Sequence, residues 1–294
     1  MKISTAQFFR SNAEALTKGQ FTVSELQAKL GSGKQLTSPS QDPYKASFVS
    51  RLESNLERQA VYQENIAVAK TRLTSEETAL SSITELFLRA SEVAIQGANG
   101  TMASEDRAVL GAEVGELRKE LIRLANTTDV DGNYIFAGNR VDVAPFVDDG
   151  TGQVQYVGDT GKLKVNVSDS RSVAVNTLGS ELLLSEDFSA MLELEQGLIQ
   201  DDIGAVRSSI DAIKLSSDRI SVVFGQMAGR FAALNSQSEL LEDTSLRLES
   251  LISENRDLDY AQAITMLSKE SMSLQALQAS FTKIAQLSLF SFMR

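Results

Sequence analysis

Every seventh residue from Val206 to Leu248 is apolar: Val206, Ile213, Ile220, Met227, Leu234, Leu241 and Leu248. In a chain with 42% hydrophobic residues, seven hits at one fixed register arise by chance about 0.2% of the time. A companion track, Ile203, Ile210, Ser217, Phe224, Phe231, Ser238, Ser245 and Ile252, runs beside it at spacings of three and four, and five of its eight members are apolar. Together the tracks form an a/d seam. They predict one helix over 202–254, uninterrupted by Pro and about 80 Å long at 1.5 Å per residue. Such length favours a bundle of extended helices over a compact globule.

Shorter stripes repeat the pattern. Ile66, Leu73, Leu80, Phe87 and Ala94 mark a helix over 43–96, and Leu110, Val114, Leu117, Leu121 and Leu124 mark one over 104–126. Phe9, Leu16, Val23 and Leu30 line a first helix; Tyr260, Leu267, Leu274 and Phe281, with Leu277 and Ile284 beside them, line a last one. Local punctuation agrees. Asp42 before Pro43 is an N-cap followed by Pro at the first helical position. Gly97 and Asn99-Gly100 stop the second helix. Ser104, Glu105 and Asp106 place carboxylates at the next helix start. The stretch Asn255–Asp259 marks a break before the last helix, and Gly31-Ser32-Gly33 ends the first, with Gly31 and Gly33 expected to act as a hinge.

The middle of the chain changes period. Asp131-Gly132 is a turn signal before Tyr134-Ile135-Phe136-Ala137, Gln153–Val157 alternates, and Lys162–Val167 alternates better, with Leu163, Val165 and Val167 apolar. These short strands predict a small β-rich subdomain, too thin to be stable alone and expected to pack on helix ends. The expected fold is mainly α: a long antiparallel helical rod, coiled-coil-like, with a small β-rich subdomain and terminal helices that pair as a coiled coil. The expected division is 1–40 with 255–294 as a terminal assembly domain, 41–130 with 185–254 as the helical rod domain, and 131–184 as the β-rich part.

Composition removes most chemistry. The 294 residues include no His and no Cys, so Cys- or His-based catalysis, zinc sites of those ligands and disulfides are excluded. A net charge of −11 argues against nucleic acid and against an anionic membrane surface. The N-terminus lacks the apolar core of a cleaved signal peptide. No apolar run approaches the ~18 residues that a membrane span requires. No GxGxxG precedes a helix and no Walker loop is present. Asp129, Asp131 and Asn133 resemble the start of a calcium loop, but Tyr134 stands where Gly is needed and the closing Glu is absent. Asp148-Asp149, Glu76-Glu77 and Asp201-Asp202 read as solvated pairs. Carboxylate pairs without binding aromatics do not make a glycosidase, so no enzyme, cofactor or metal is expected.

Three features together resemble the flagellin superfamily. They are the first helix closed by Leu30-Gly31-Ser32-Gly33-Lys34, the segment Ser38-Pro39-Ser40-Gln41-Asp42-Pro43 opening a long helix, and the last helix from Gln278-Ala279-Ser280-Phe281 to Leu287-Ser288-Leu289-Phe290. The stretch Asn126–Gly138, followed by Ala144-Pro145-Phe146, the opening Lys2-Ile3-Ser4-Thr5 and the closing Leu287–Phe290 are most similar to its hook–filament junction family. Gln41 departs from the usual acidic residue before Asp-Pro. The resemblance covers 1–146 and 255–294, whereas 147–200 matches only in being variable and β-rich. It implies a mechanical adaptor of the bacterial flagellum, exported by the flagellar type III apparatus and found outside the cell. The implied partners are another hook-associated protein on the hook side, flagellin on the filament side, copies of itself in a ring, and an export chaperone at the last helix. It also implies that the terminal helices are unfolded in the monomer and order on assembly, with Phe9, Leu16, Val23, Leu30, Tyr260, Leu267, Leu274, Leu277, Phe281 and Ile284 at the interface. The alternatives are a short flagellin forming the filament itself and a coiled-coil adaptor with no flagellar role.

Overall fold

A computed structural model describes residues 2–292, with side chains described for Gln7 and for 9–283. In chain order the elements are α1 (Lys2–Ser32), α2 (Pro43–Gly97), α3 (Ser104–Ala125), β1 (Phe146–Asp148), β2 (Val154–Tyr156), β3 (Lys164–Asn166), β4 (Ser172–Ala174), α4 (Gly179–Leu182), α5 (Ser185–Ile199), α6 (Ile203–Arg256) and α7 (Tyr260–Phe292). The fold is mainly α with two small hairpins. The chain forms two compact units, one of residues 59–242 and one of residues 1–58 with 243–294, and α2 and α6 contribute to both.

In the unit of 59–242 the sevens of both long helices are fully buried. Ile66, Leu73, Leu80, Phe87 and Ala94 of α2 and Val206, Ile213, Ile220, Met227 and Leu234 of α6 join one core. The helices run antiparallel there: Gln63 Nε2 donates to Ser238 O (2.8 Å), Ser238 Oγ donates back to Gln63 Oε1 (3.0 Å), and further along Glu76 faces Arg230. The companion track of α6 is only half-buried at Ile210, Phe224 and Phe231. The inward positions are instead Ser209, Ser216, Val223 and Gln237. At Ser216 polarity explains the shift. Buried Asp187 near the start of α5 accepts from Ser216 Oγ (2.5 Å), Arg219 Nη1 (2.6 Å) and the Leu184 N–H (2.6 Å), so a hydroxyl rather than a methyl faces it. α3 and α5 approach closely because Gly111 lies against α5, where a Cβ would stand 2.7 Å from Ile199 Cγ1 and 3.2 Å from the Glu195 carbonyl.

The β-rich part differs from expectation in two ways. Tyr134–Ala137 is not a strand. Ile135, Phe136 and Ala137 are all buried, with no alternation, and the segment is held by the Tyr134 N–H to Val141 O (2.8 Å) and the Ile135 N–H to Thr127 O (3.1 Å). The strands that do form are two antiparallel hairpins, β1–β2 with Val147 opposite Gln155 and β3–β4 with Val165 opposite Val173. Only the first sits at a helix end, where the Asn126 side chain exchanges two hydrogen bonds with the Phe146 backbone (2.8 and 3.0 Å). The second lies along the flanks of α2 and α6: Asn65 Nδ2 donates to Asn166 O (2.9 Å) and Arg230 Nη1 to Asn176 O (2.8 Å). Flank packing supplies the cover that a three-residue strand pair lacks by itself.

A buried cation closes the turn between α2 and α3. Arg107 is 2% exposed. Its guanidinium donates to the carbonyls of Gly97 (2.9 Å), Asn99 (3.3 Å) and Met102 (3.1 Å) and pairs with Asp201 in the turn before α6. It satisfies carbonyls left over at the end of α2, and Asp201 adopts φ +61° at that joint.

Candidate assembly interface

In the unit of 1–58 and 243–294, α1 and α7 pack along their lengths. They are antiparallel. The rings of Phe9 and Phe281 meet edge to face at 5.6 Å, Leu274 lies against Gly19, and the Tyr260 hydroxyl lies against Gly33. The inward face of α1 follows the three–four alternation Phe9, Asn12, Leu16, Gly19, Val23, Leu26 and Leu30, all half-buried. On α7 the matching face is Ala263, Leu267, Glu270, Leu274, Leu277 and Phe281. Phe9, Leu16, Val23, Leu30, Leu267, Leu274, Leu277 and Phe281 thus share one seam. Tyr260 has the right heptad phase but, as the first residue of α7, is largely exposed. Ile284 lies in α7, its side chain outside the described residues. Counting sevens alone passed over Leu26, Gly19 and Asn12; the alternation from Phe9 would have found them.

This seam is unfinished. Among the described residues no side chain of α1 is buried, and α7 buries only Ala263. Phe21 is 70% exposed, and Ile264 and Met272 also stand in solvent. A two-helix pair covers one face of each helix, so apolar surface remains for a further partner. The charge follows the same division. Residues 1–40 and 260–294 hold eight Lys+Arg against three Asp+Glu, a net of +5, and the remaining 219 residues carry −16.

The base of the pair is a backbone clasp. Gly33 sits at φ +68° and its N–H donates to Lys29 O (2.9 Å), a left-handed helix end that favours glycine. Past it, the Leu258 N–H donates to Gly33 O (2.9 Å) and the Gln35 N–H to Arg256 O (2.8 Å), with Lys34 bridged to Asp257. Arg256 bonds Asp257 (3.0 Å), which holds that carboxyl below the usual carboxylate range, and reaches Glu53 (3.4 Å). Gly31 lies inside α1, two residues before the clasp. Beyond the break, Asp42 caps α2 by accepting the Lys45 N–H (2.9 Å) as its spacing to Pro43 predicts, and Gln41 holds the loop by accepting the Thr37 N–H (2.9 Å).

Among the described residues no group of three or more carboxylates is placed to hold a metal ion, and no helix is long and apolar enough to cross a membrane. Glu76, read from sequence as solvated, is 2% exposed on the α2 seam. Burial pushes its carboxyl above the usual range, against the opposing pull of Thr177, Arg230 and Arg72.

The pattern of the bacterial flagellin N-terminal helical region matches residues 3–140. Flagellar hook-associated protein 3 of Escherichia coli is 27% identical, the alignment spanning 99% of this chain and 99% of that protein. A flagellin of Listeria monocytogenes is 30% identical over 44% of this chain and 42% of its own length. The crystal structure of flagellar hook-associated protein 3 from Legionella pneumophila superposes with a TM-score of 0.65 at 16% identity, over 70% of this chain and 98% of that one. The chain thus carries a flagellin N-terminal helical region over residues 3–140. Its relatives aligned along the full length are hook-associated proteins, whereas the flagellin aligns over less than half.

Proposed function

We propose that the chain is a structural adaptor of the bacterial flagellum, joining the hook to the filament, with no catalytic role. The observation that carries this reading is the half-open α1–α7 seam, apolar, cationic and lacking the third neighbour that would bury it. The full-length likeness to hook-associated protein 3 supports the junction over a filament subunit. In this reading the protein lies outside the cell, another hook-associated protein meets it on the hook side and flagellin on the filament side, and copies of itself complete a ring. It leaves the cell through the flagellar type III apparatus and assembles at the hook tip. An export chaperone covers α7 beforehand, because an exposed amphipathic stripe aggregates without cover. The seam residues from Phe9 to Leu30 and from Leu267 to Ile284 form the assembly surface, and the chain bends at Gly31 and Gly33. Ordering the terminal helices costs roughly 1–2 kcal/mol per residue of backbone entropy, so they order fully when neighbours supply the missing contacts.

Removing 274–294 tests the role. Cells carrying only the shortened chain are expected to release flagellin into the medium without building filaments, while its helical content and melting stay near those of the parent. Normal filaments on that background overturn the reading; filaments built from this chain itself make it a flagellin. Limited proteolysis of dilute full-length chain is expected to trim before about Ser40 and after about Asp259, within the ±2–4 residues of such boundaries. Protection of both ends in a verified monomer contradicts coupled ordering.

A further inference from the structure

The two edges of the β3–β4 hairpin differ. The outer edge of β3 is covered by α2, through Asn65 to Asn166 O. The outer edge of β4 lines a groove of about 500 Å3, whose far wall is Gly229, Arg230 and Ala233 of α6, a volume within the range of ligand-binding clefts, about 300–1,000 Å3. Its charge is opposite to its surroundings. Lys162, Arg171 and Arg230 line it against one carboxylate, Glu181. Glu181 is held by Lys162 (2.8 Å), and Arg230 is directed inward to Thr177 (2.6 Å) and Asn176, which leaves exposed Arg171 facing outward from the rim. The groove is therefore a cationic, small-walled cleft on the acidic 219-residue remainder of the chain.

A piece of matching chemistry stands elsewhere in the same unit. Val130, at 89%, is the most exposed large hydrophobic residue among those described. It sits between Asp129 and Asp131 at the tip of a turn that is well fixed: Asp129 Oδ1 accepts the N–H groups of Asp131 (3.0 Å) and Asn133 (2.9 Å). Asp131 itself is exposed. The tip is thus a rigid aliphatic knob carrying an available carboxylate, on the Asn126–Gly138 stretch that the terminal seam does not use.

We infer that the Asp129–Val130–Asp131 tip of one copy seats in the β4–α6 groove of a neighbouring copy, Val130 between Ala174 and Ala233, and Asp131 toward Arg171. The inference rests on the reading of the chain as a self-assembling subunit and names a contact outside the terminal helices. Tip and groove are different patches, so the contact is heterologous and repeats around a ring. It sets a carboxylate against a cation where two strongly acidic bodies otherwise repel, and it weakens with salt.

The chain has no cysteine, so single cysteines report without background. Full-length Val130→Cys is mixed with full-length Ala233→Cys under mild oxidation at low salt. A mixed disulfide dimer is expected, since a seated tip brings the two Cα atoms within the ~7 Å a disulfide allows. It should form about tenfold faster than with exposed Ser104→Cys as partner, a preference near 1.4 kcal/mol. Adding Arg171→Glu to the Ala233→Cys chain should erase that preference, and Arg171→Lys should keep most of it. Equal rates for groove and control, or indifference to Arg171→Glu, overturn the inference. Sedimentation of the parent chain separates the two failures: self-association without the groove crosslink removes this contact alone, and a chain monomeric at every concentration removes the self-assembling reading as well.

Discussion

The α2–α6 seam and the α1–α7 seam are written in the same heptad code, yet one is sealed and the other half open. In the unit of 59–242, α3, α5 and both hairpins close over the seam, and Leu73, Leu80, Ile213 and Leu234 lose all contact with water. In the other unit α1 and α7 have each other along most of their lengths. The small buried set of Val49, Leu52, Ile252 and Ala263 reaches only the base of the pair. A heptad therefore tells which face is apolar and leaves open how many neighbours arrive to cover it. Stability follows the number of neighbours, and assembly uses the positions where neighbours are missing.

A carboxylate placed in each seam gives the largest expected difference. Leu234→Asp places a carboxylate in the sealed seam and is expected to cost about 4 kcal/mol or more, seen as a collapse of the urea midpoint. Leu274→Asp at the open seam is expected to cost less than about 1 kcal/mol in the same titration while abolishing assembly. Equal losses would mean that the two seams are buried alike. A smaller effect is expected at the α2–α3 turn. Arg107→Ala removes a buried charged donor from three carbonyls and is expected to cost about 2–3 kcal/mol, and Arg107→Lys should restore only part because an ammonium cannot reach all three.

The smallest effect is expected in the pH dependence of stability. Burial raises the Glu76 carboxyl above its ordinary value of 4.5, so the folded chain holds that proton more tightly than the unfolded one. The stability this group contributes then falls as pH rises from 4.5 through the raised value. Glu76→Gln removes the titration, and the decline in melting temperature between pH 4.5 and 7 is expected to be shallower in the variant. Parallel curves for variant and parent would mean that Glu76 does not titrate there.

Long-range periodicity made the helices readable. The stripes and caps predict 43–96, 104–126 and 202–254, and the helices run Pro43–Gly97, Ser104–Ala125 and Ile203–Arg256. What escaped was polarity placed inward. Ser209, Ser216, Gln237 and Glu76 occupy seam positions that a hydrophobic count discards; Ser216 does so facing Asp187 and Glu76 facing Arg230, while Ser209 returns its hydroxyl to the Val206 carbonyl of its own helix. Tyr134–Ala137 misled for the reverse reason: an apolar run buried on all sides looks like a strand but is a loop held by single hydrogen bonds. At the terminal interface the sevens located most of the seam. The clasp left no trace beyond a glycine, because backbone hydrogen bonds between 33–35 and 256–258 have no side-chain signature.

That clasp has a consequence in time. Gly33 closes on Leu258, and Phe9 meets Phe281, so the contacts that organise the first helix are supplied by the last part of the chain to be made. Loops of that span close late and slowly. A chain passing through any opening with its amino end leading emerges without its partner strand and without its partner helix, and neither ladder can form until the carboxyl end follows. The architecture thus delays its own completion until the whole polypeptide is on one side.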